Sequence, residues 1–156
     1  MDPNTGKKGM FNKLSKEQGM QLLKQENFKR KTVSFYRYVI LESPNKLRDE
    51  LYEDWNALGV LGRIYLAHEG INAQLSVPEN NWLAFKANVH ANKYFSNIPF
   101  KIAVEDDGKS FFKLTIKVRK QIVADGLKID EYDVTNVGAH LTAEQWNNAM
   151  GNGATV

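Results

Sequence analysis

A chain of 156 residues is long enough to bury about two-thirds of its unfolded surface in one domain without staples, and 42% hydrophobic with 25% charged residues is ordinary globular composition. It contains no cysteine, which excludes disulfides, thiolate zinc sites and a cysteine nucleophile and points to a reducing compartment. The net charge of +3 is unevenly placed: residues 1–31 carry eight basic and three acidic side chains, the remainder thirteen and fifteen.

In chain order, residues 1–12 read as a disordered start. A short helix follows over residues 15–25, with Ser15 as N-cap and Gln18 at capping-box spacing; Gly19 weakens it. Residues 33–41, rich in β-branched and aromatic side chains, predict a first strand with two possible facings. Either Arg37 meets solvent and Tyr36 and Tyr38 are core, or the tyrosines face out, where they could stack on bases. Strand aromatics more commonly pack. Ser43-Pro44 then opens a helix that Gly59 can end, with Leu47, Leu51, Trp55 and Leu58 as its apolar stripe.

Two alternating runs, 63–67 and 71–77, flank His68-Glu69-Gly70 and predict a tight hairpin, Gly70 supplying positive φ. In the second run Ile71, Ala73, Leu75 and Val77 point one way and Asn72, Gln74 and Ser76 the other. After Pro78 a second helix presents Trp82, Phe85 and Val89. Phe100, Ile102 and Val104 then alternate as a strand, Asp106-Asp107-Gly108-Lys109 is a turn, and Phe112, Leu114, Ile116 and Val118 alternate with Lys113, Thr115, Lys117 and Arg119.

Strand, helix, strand, strand, helix, strand, with one extra strand, is the split βαβ pattern. The expected fold is an α+β ferredoxin-like sandwich, an antiparallel sheet with two helices on one face and the other face open. The charged parity of the last strand cannot lie under the helices, so Lys113, Lys117 and Arg119 join Asn72 and Gln74 on the open face. Three segments result: a basic leader over 1–31, the sandwich over 32–126, and a linker with a further element over 127–156. In that last segment Thr142 is a helix N-cap, and the lone amphipathic element behind it suggests a chain that ends at a domain boundary.

No catalytic constellation is legible. His68 and Glu69 are neighbours whose side chains diverge, and His68, His90 and His140 are too dispersed for a metal site. Phosphate loop, serine elbow and paired carboxylates are missing. Lys109, Lys113, Lys117, Arg119 and Lys120 occur with no acid before Asp125, a patch that suits nucleic acid, with solvated lysine as the plain alternative. An open basic sheet resembles the surface on which RNA recognition motifs stack bases, although the aromatic signature of those motifs is absent. The opening residues hold no apolar core of signal-peptide length and no run is long enough to span a bilayer, so a cytoplasmic protein without a membrane partner is expected.

Four ordered blocks carry a more specific likeness: Ser34-Phe-Tyr-Arg-Tyr, Gly62-Arg-Ile-Tyr-Leu-Ala-His-Glu-Gly-Ile-Asn-Ala-Gln-Leu-Ser-Val-Pro, Asp106-Asp-Gly-Lys-Ser-Phe and Lys117-Val-Arg-Lys-Gln-Ile-Val-Ala-Asp-Gly. Over residues 33–150 the chain resembles the amino-terminal domain of the bacterial tRNA uridine hydroxylase family. The resemblance implies an acylphosphatase-like module and oxygen-dependent hydroxylation of the wobble uridine at carbon five, with molecular oxygen as co-substrate. It also implies a second, rhodanese-like module carrying the essential cysteine. Gly138-Ala-His-Leu-Thr-Ala-Glu-Gln-Trp resembles the lead-in to that module, so the chain is expected to hold only its start, to carry no catalytic residue, metal or cofactor, and to be inactive alone. Acylphosphatase activity is not implied, because the connection after the first strand, Glu42-Ser-Pro-Asn-Lys, has no glycine for a phosphate loop.

Motif and parity together nominate Arg63, His68, Glu69, Asn72, Lys117 and Arg119 as candidate tRNA-binding residues. Lys117 and Arg119 would meet phosphates, Asn72 would offer an amide to a ribose or base edge, and His68-Glu69 would shape the surface facing the missing module. The structural alternatives are a Glu69 that caps the turn, an Asn72 that braces it and an Arg63 paired with a helix acid. The expected partners are tRNA, the rhodanese module in cis and, in the competing reading of a purely structural domain, a homo-oligomer.

Overall fold

The computed structural model describes residues 13–104, 106–123, 133, 135, 136 and 138–154. Two expectations, disorder of residues 1–12 and most of the linker after Gly126, lie outside the described residues.

Helix α1, Lys16–Gln25, starts on the expected capping box: Gln18 N–H donates to Ser15 Oγ at 3.2 Å and Ser15 N–H to Gln18 Oε1 at 2.9 Å. Gly19 has a packing reason there, since a Cβ would come 2.8 Å from the Phe112 carbonyl. Strand β1, Arg30–Tyr38, begins earlier than its apolar pattern suggests. Helix α2, Pro44–Ala57, has proline in its first turn and buries Leu47, Leu51 and Trp55. It also buries Arg48, ion-paired with Asp49, and Tyr52.

Strands β2, Leu61–Ala67, and β3, Gly70–Pro78, form the hairpin, with His68 and Glu69 as its two turn residues. Gly70 has φ +145°, and a Cβ there would lie 2.0 Å from the Arg37 carbonyl oxygen, so both conformation and space exclude a side chain. A single 3-10 turn leads to α3, Trp82–Ala91, which buries Phe85 and Val89. Strands β4, Lys101–Ile102, and β5, Leu114–Val118, follow, and α4, Ala143–Gly151, opens on the capping box of Thr142 and Gln145.

The sheet order is β4-β1-β3-β2-β5. The first four strands pair antiparallel in ferredoxin-like order, while β5 runs parallel to β2, so the sheet is mixed rather than antiparallel. The reason is the path between the last two strands. They lie at opposite edges, and the connection crosses one end of the face away from the helices.

One sheet face and helices α2 and α3 enclose the core. Phe35 meets Trp55 edge-on at 6.3 Å and Phe100 at 5.3 Å, and Trp55 meets Phe85 at 5.4 Å. Trp55 Nε1–H donates to Asn88 Oδ1 at 2.9 Å, tying α2 to α3. The expected apolar alternation after Phe100 is not a core strand: Ile102 is 51% and Val104 87% exposed. Phe100 takes the core contact, Ala103 N–H adds a rung to Thr32 O at 2.9 Å, and the chain then turns away, leaving a short edge with one partner.

The face away from the helices is open only in part. Ser76 has the polar parity of β3 yet is fully buried, because its hydroxyl donates to Gly108 O at 2.9 Å beneath the crossing connection. Asp106 and Asp107 build that turn, accepting from Gly108 N–H at 2.6 Å and Lys109 N–H at 2.9 Å. Gly108, at φ +71°, lies so close to Arg30 that a Cβ would come within 2.6 Å of it. Arg30 is buried in turn, donating to both Glu26 carboxylate oxygens at 2.7 Å and to Gly59 O at 3.0 Å.

Candidate nucleic-acid interface

Strand alternation and register assemble the remaining, uncovered part of this face. One row across the sheet reads Tyr36, Asn72, Tyr65, Lys117; the next reads Lys101, Ser34, Gln74, Arg63, Thr115. Neither row contains an acidic residue, and β3 lies between β1 and β2 in both. Arg119, just past β5, is held by its backbone N–H on Leu66 O at 2.7 Å, and its guanidinium lies over the Tyr65 ring, 4.2 Å from the centroid.

Four of the six nominated residues therefore meet on one surface: Arg63, Asn72, Lys117 and Arg119. Arg63 is exposed and, among the described residues, in no ion pair; the acids of α2 lie across the sheet. Asn72 sits mid-row between two tyrosines and does not brace the turn.

His68 and Glu69 sit apart, at the hairpin end. His68 Nδ1 lies 2.9 Å from Leu41 O, so the ring carries its proton on that nitrogen, a carbonyl being an acceptor only. Leu41 N–H donates back to His68 O at 2.8 Å, and Val39 N–H to Glu69 O at 2.9 Å, so the chain leaving β1 continues to pair with the turn. The Glu69 side chain is buried and accepts Ile122 N–H at 2.6 Å. That bond pins the segment carrying Arg119 to the hairpin, a positioning geometry rather than an exposed contact.

The facing of β1 is the one in which Arg37 shares the face of Phe35 and the tyrosines point away from the helices. Arg37 is accommodated on the helix side because its guanidinium donates to Ser96 O at 2.7 Å and Tyr94 O at 3.4 Å, in the turn after α3. Its charge therefore needs no solvent-facing strand position, and Tyr36 is left 47% exposed, edge-on to Tyr38 at 6.4 Å. Tyr65 and Lys101 are the residues of this surface that sequence reasoning did not place on it; parity placed Gln74 there, and Tyr36 and Tyr38 stood there only in one of the two facings of β1. Phe35, Val39 and Leu41 sharing the parity of Arg37 was the available signal, set against the tendency of strand aromatics to pack.

The surface offers cations, amides and aromatic rings. No cluster of three or more metal-ligating side chains occurs among the described residues, and no helix there is long and apolar enough to cross a membrane.

Residues 30–122 match the model of the UPF0176 acylphosphatase-like domain, which spans β1 to just beyond β5. A tRNA uridine(34) hydroxylase of Leptospira interrogans is 57% identical over 143 residues, 92% of this chain and 39% of the relative. Proteins of the same name from Yersinia enterocolitica and Salmonella arizonae are 46% and 44% identical over 139 residues, 88% of this chain and 40% of theirs. The chain thus spans about two-fifths of the length of the curated relatives it matches. With the ferredoxin-like strand order, the helix-backed core and a match running from the first to the fifth strand, the chain belongs to the UPF0176 acylphosphatase-like domain family.

Proposed function

We propose that this domain positions tRNA for an enzyme that hydroxylates the wobble uridine at carbon five, working in the cytoplasm. The relatives' name supports the substrate, and one observation carries the role: the uncovered sheet face gathers Arg63, Lys117, Arg119 and Asn72 with no acid in its two rows. Lys117, Arg119 and Arg63 neutralise phosphates, which sets register without reading sequence. Asn72 offers donor and acceptor to a ribose or base edge. The Glu69 carboxylate holds the Arg119 segment, and the His68-Glu69 turn marks the end of the face directed to a rhodanese-like module that completes the enzyme. Molecular oxygen is the co-substrate of that whole enzyme; no residue of this chain is assigned a catalytic role, and the chain alone is inactive.

The test is a salt titration of binding to unmodified tRNA carrying a wobble uridine. Wild-type affinity should fall steeply with salt, and Lys117→Ala with Arg119→Ala should flatten the slope of log K against log salt by roughly 0.7–0.9 per lost contact, with the melting temperature unchanged. Absence of wild-type binding at low salt, or a double variant that binds like wild type, would overturn the reading.

A second reading, a domain that only supports the other module or a homo-oligomer, draws on α4, where Leu141 before the helix and Trp146 and Met150 within it are exposed. Under that reading tRNA binding is indifferent to Lys117 and Arg119, and Trp146→Ser weakens association of the modules instead.

A further inference from the structure

We infer that the uncovered sheet face is a stacking platform for unpaired nucleotides, with Tyr36 as its principal plane; the inference rests on the RNA-binding reading above and specifies what part of an RNA the face takes. Tyr36 is 47% exposed on β1, opposite Asn72 and on the face away from the helices, a position where a ring gains nothing from the core. Its neighbour Tyr38 meets it at 78°, which braces the ring, and Lys101 Nζ stands 5.9 Å from its centroid.

A second plane lies two strands away. Tyr65 shares the row of Tyr36, and two strand spacings separate them by about 10 Å. The Arg119 guanidinium covers Tyr65, so the plane offered outward is the guanidinium itself, backed by the ring. Bases splayed out of an RNA loop stack on aromatic rings and on guanidinium planes alike. Asn72 lies between the two planes, where an amide meets the edge of a base stacked beside it.

The chemistry selects unpaired over paired RNA. Bases inside a duplex are already stacked on one another, so a duplex could use only the cations of this face, whereas an unpaired strand uses cations and rings together. The same reasoning separates RNA from an acidic peptide, which also answers only to charge.

The measurement is the binding of the whole 156-residue chain to a fluorescent single-stranded oligouridylate of about eight nucleotides, with an RNA duplex of equal length and a polyglutamate peptide as competitors. Single-stranded RNA should bind most tightly. Tyr36→Ala should weaken it roughly 5- to 100-fold with an unchanged salt slope, and Tyr36→Phe should retain it, because stacking needs the ring and releases no counterions. Lys117→Ala should show the opposite signature, a flatter slope with the single-strand preference kept. If RNA binds but Tyr36→Ala matches wild type, or duplex or polyglutamate competes as well as the single strand, stacking is overturned while the phosphate-binding role stands. If wild type binds no RNA at any salt, the RNA-binding reading falls and this inference with it.

Discussion

The two faces of the sheet are built from the same strands one residue out of step. On the helix side, Phe35, Ile64, Ala73, Leu75 and Ile116 are buried, and Trp55 and Phe85 descend on them from α2 and α3. On the other side, Tyr36, Arg63, Tyr65, Gln74 and Lys117 alternate with those residues and leave rings, amides and cations accessible. Strand alternation thus separates the buried core from an accessible polar surface at the finest spacing a chain allows. The accessible face can be changed residue by residue while its neighbours hold the fold.

Substitutions test that separation. The largest effect should come from the helix side: Trp55→Ala removes a fully buried ring, its contacts with Phe35 and Phe85 and the bond to Asn88, at a cost of about 3–5 kcal/mol in urea unfolding. A loss below about 1 kcal/mol would mean that the core does not depend on this packing. Glu69→Ala sharpens the comparison at the hairpin end. It leaves the buried Ile122 N–H without its acceptor, costing about 1–3 kcal/mol, and amide exchange should accelerate at Ile122 before it does in β3.

Tyr52 gives a smaller, pH-dependent effect. Burial raises its phenol above the usual range, partly countered by the Arg48 guanidinium. The native state therefore keeps this proton after the unfolded chain begins to release it near pH ~10. Stability should be independent of this group below that pH and decline as pH rises through it, and Tyr52→Phe should remove part of the alkaline loss in thermal melts. Smallest of all, Arg63→Ala on the open face and Val104→Ser at the edge should each change unfolding free energy by no more than about 0.5 kcal/mol, since both side chains are exposed. A larger loss at Arg63 would break the separation of the faces.

Much of this was legible in the sequence because the signals are local. Ser15 with Gln18 is a cap pair three residues apart and Thr142 is an N-cap, and both helices start where those caps put them. The β3 run alternates without exception, and its parity correctly carries Asn72 and Gln74, with Lys117 beside them in β5, to the open face. In β1 the same logic stalled. Parity left two facings open, and the choice rests on the turn after α3, some sixty residues later, which supplies carbonyl acceptors to Arg37 on the side of Phe35. Glu69 shows the converse: its motif marked it as a surface residue, but its side chain is buried and accepts the Ile122 N–H.

What the sequence by itself determined is the set of elements, their caps, the hairpin turn at Gly70 and the division of β3 and β5 into two faces. Each of these depends on neighbours a few residues apart, where periodicity and cap chemistry act. The tertiary structure alone decided the outward facing of Tyr36 and Tyr38, the parallel placement of β5 beside β2, and the burial of Ser76 under the Gly108 turn. Those outcomes turn on which distant segment lies opposite a given side chain. A polar group's preference for water yields wherever such a segment supplies its hydrogen bonds.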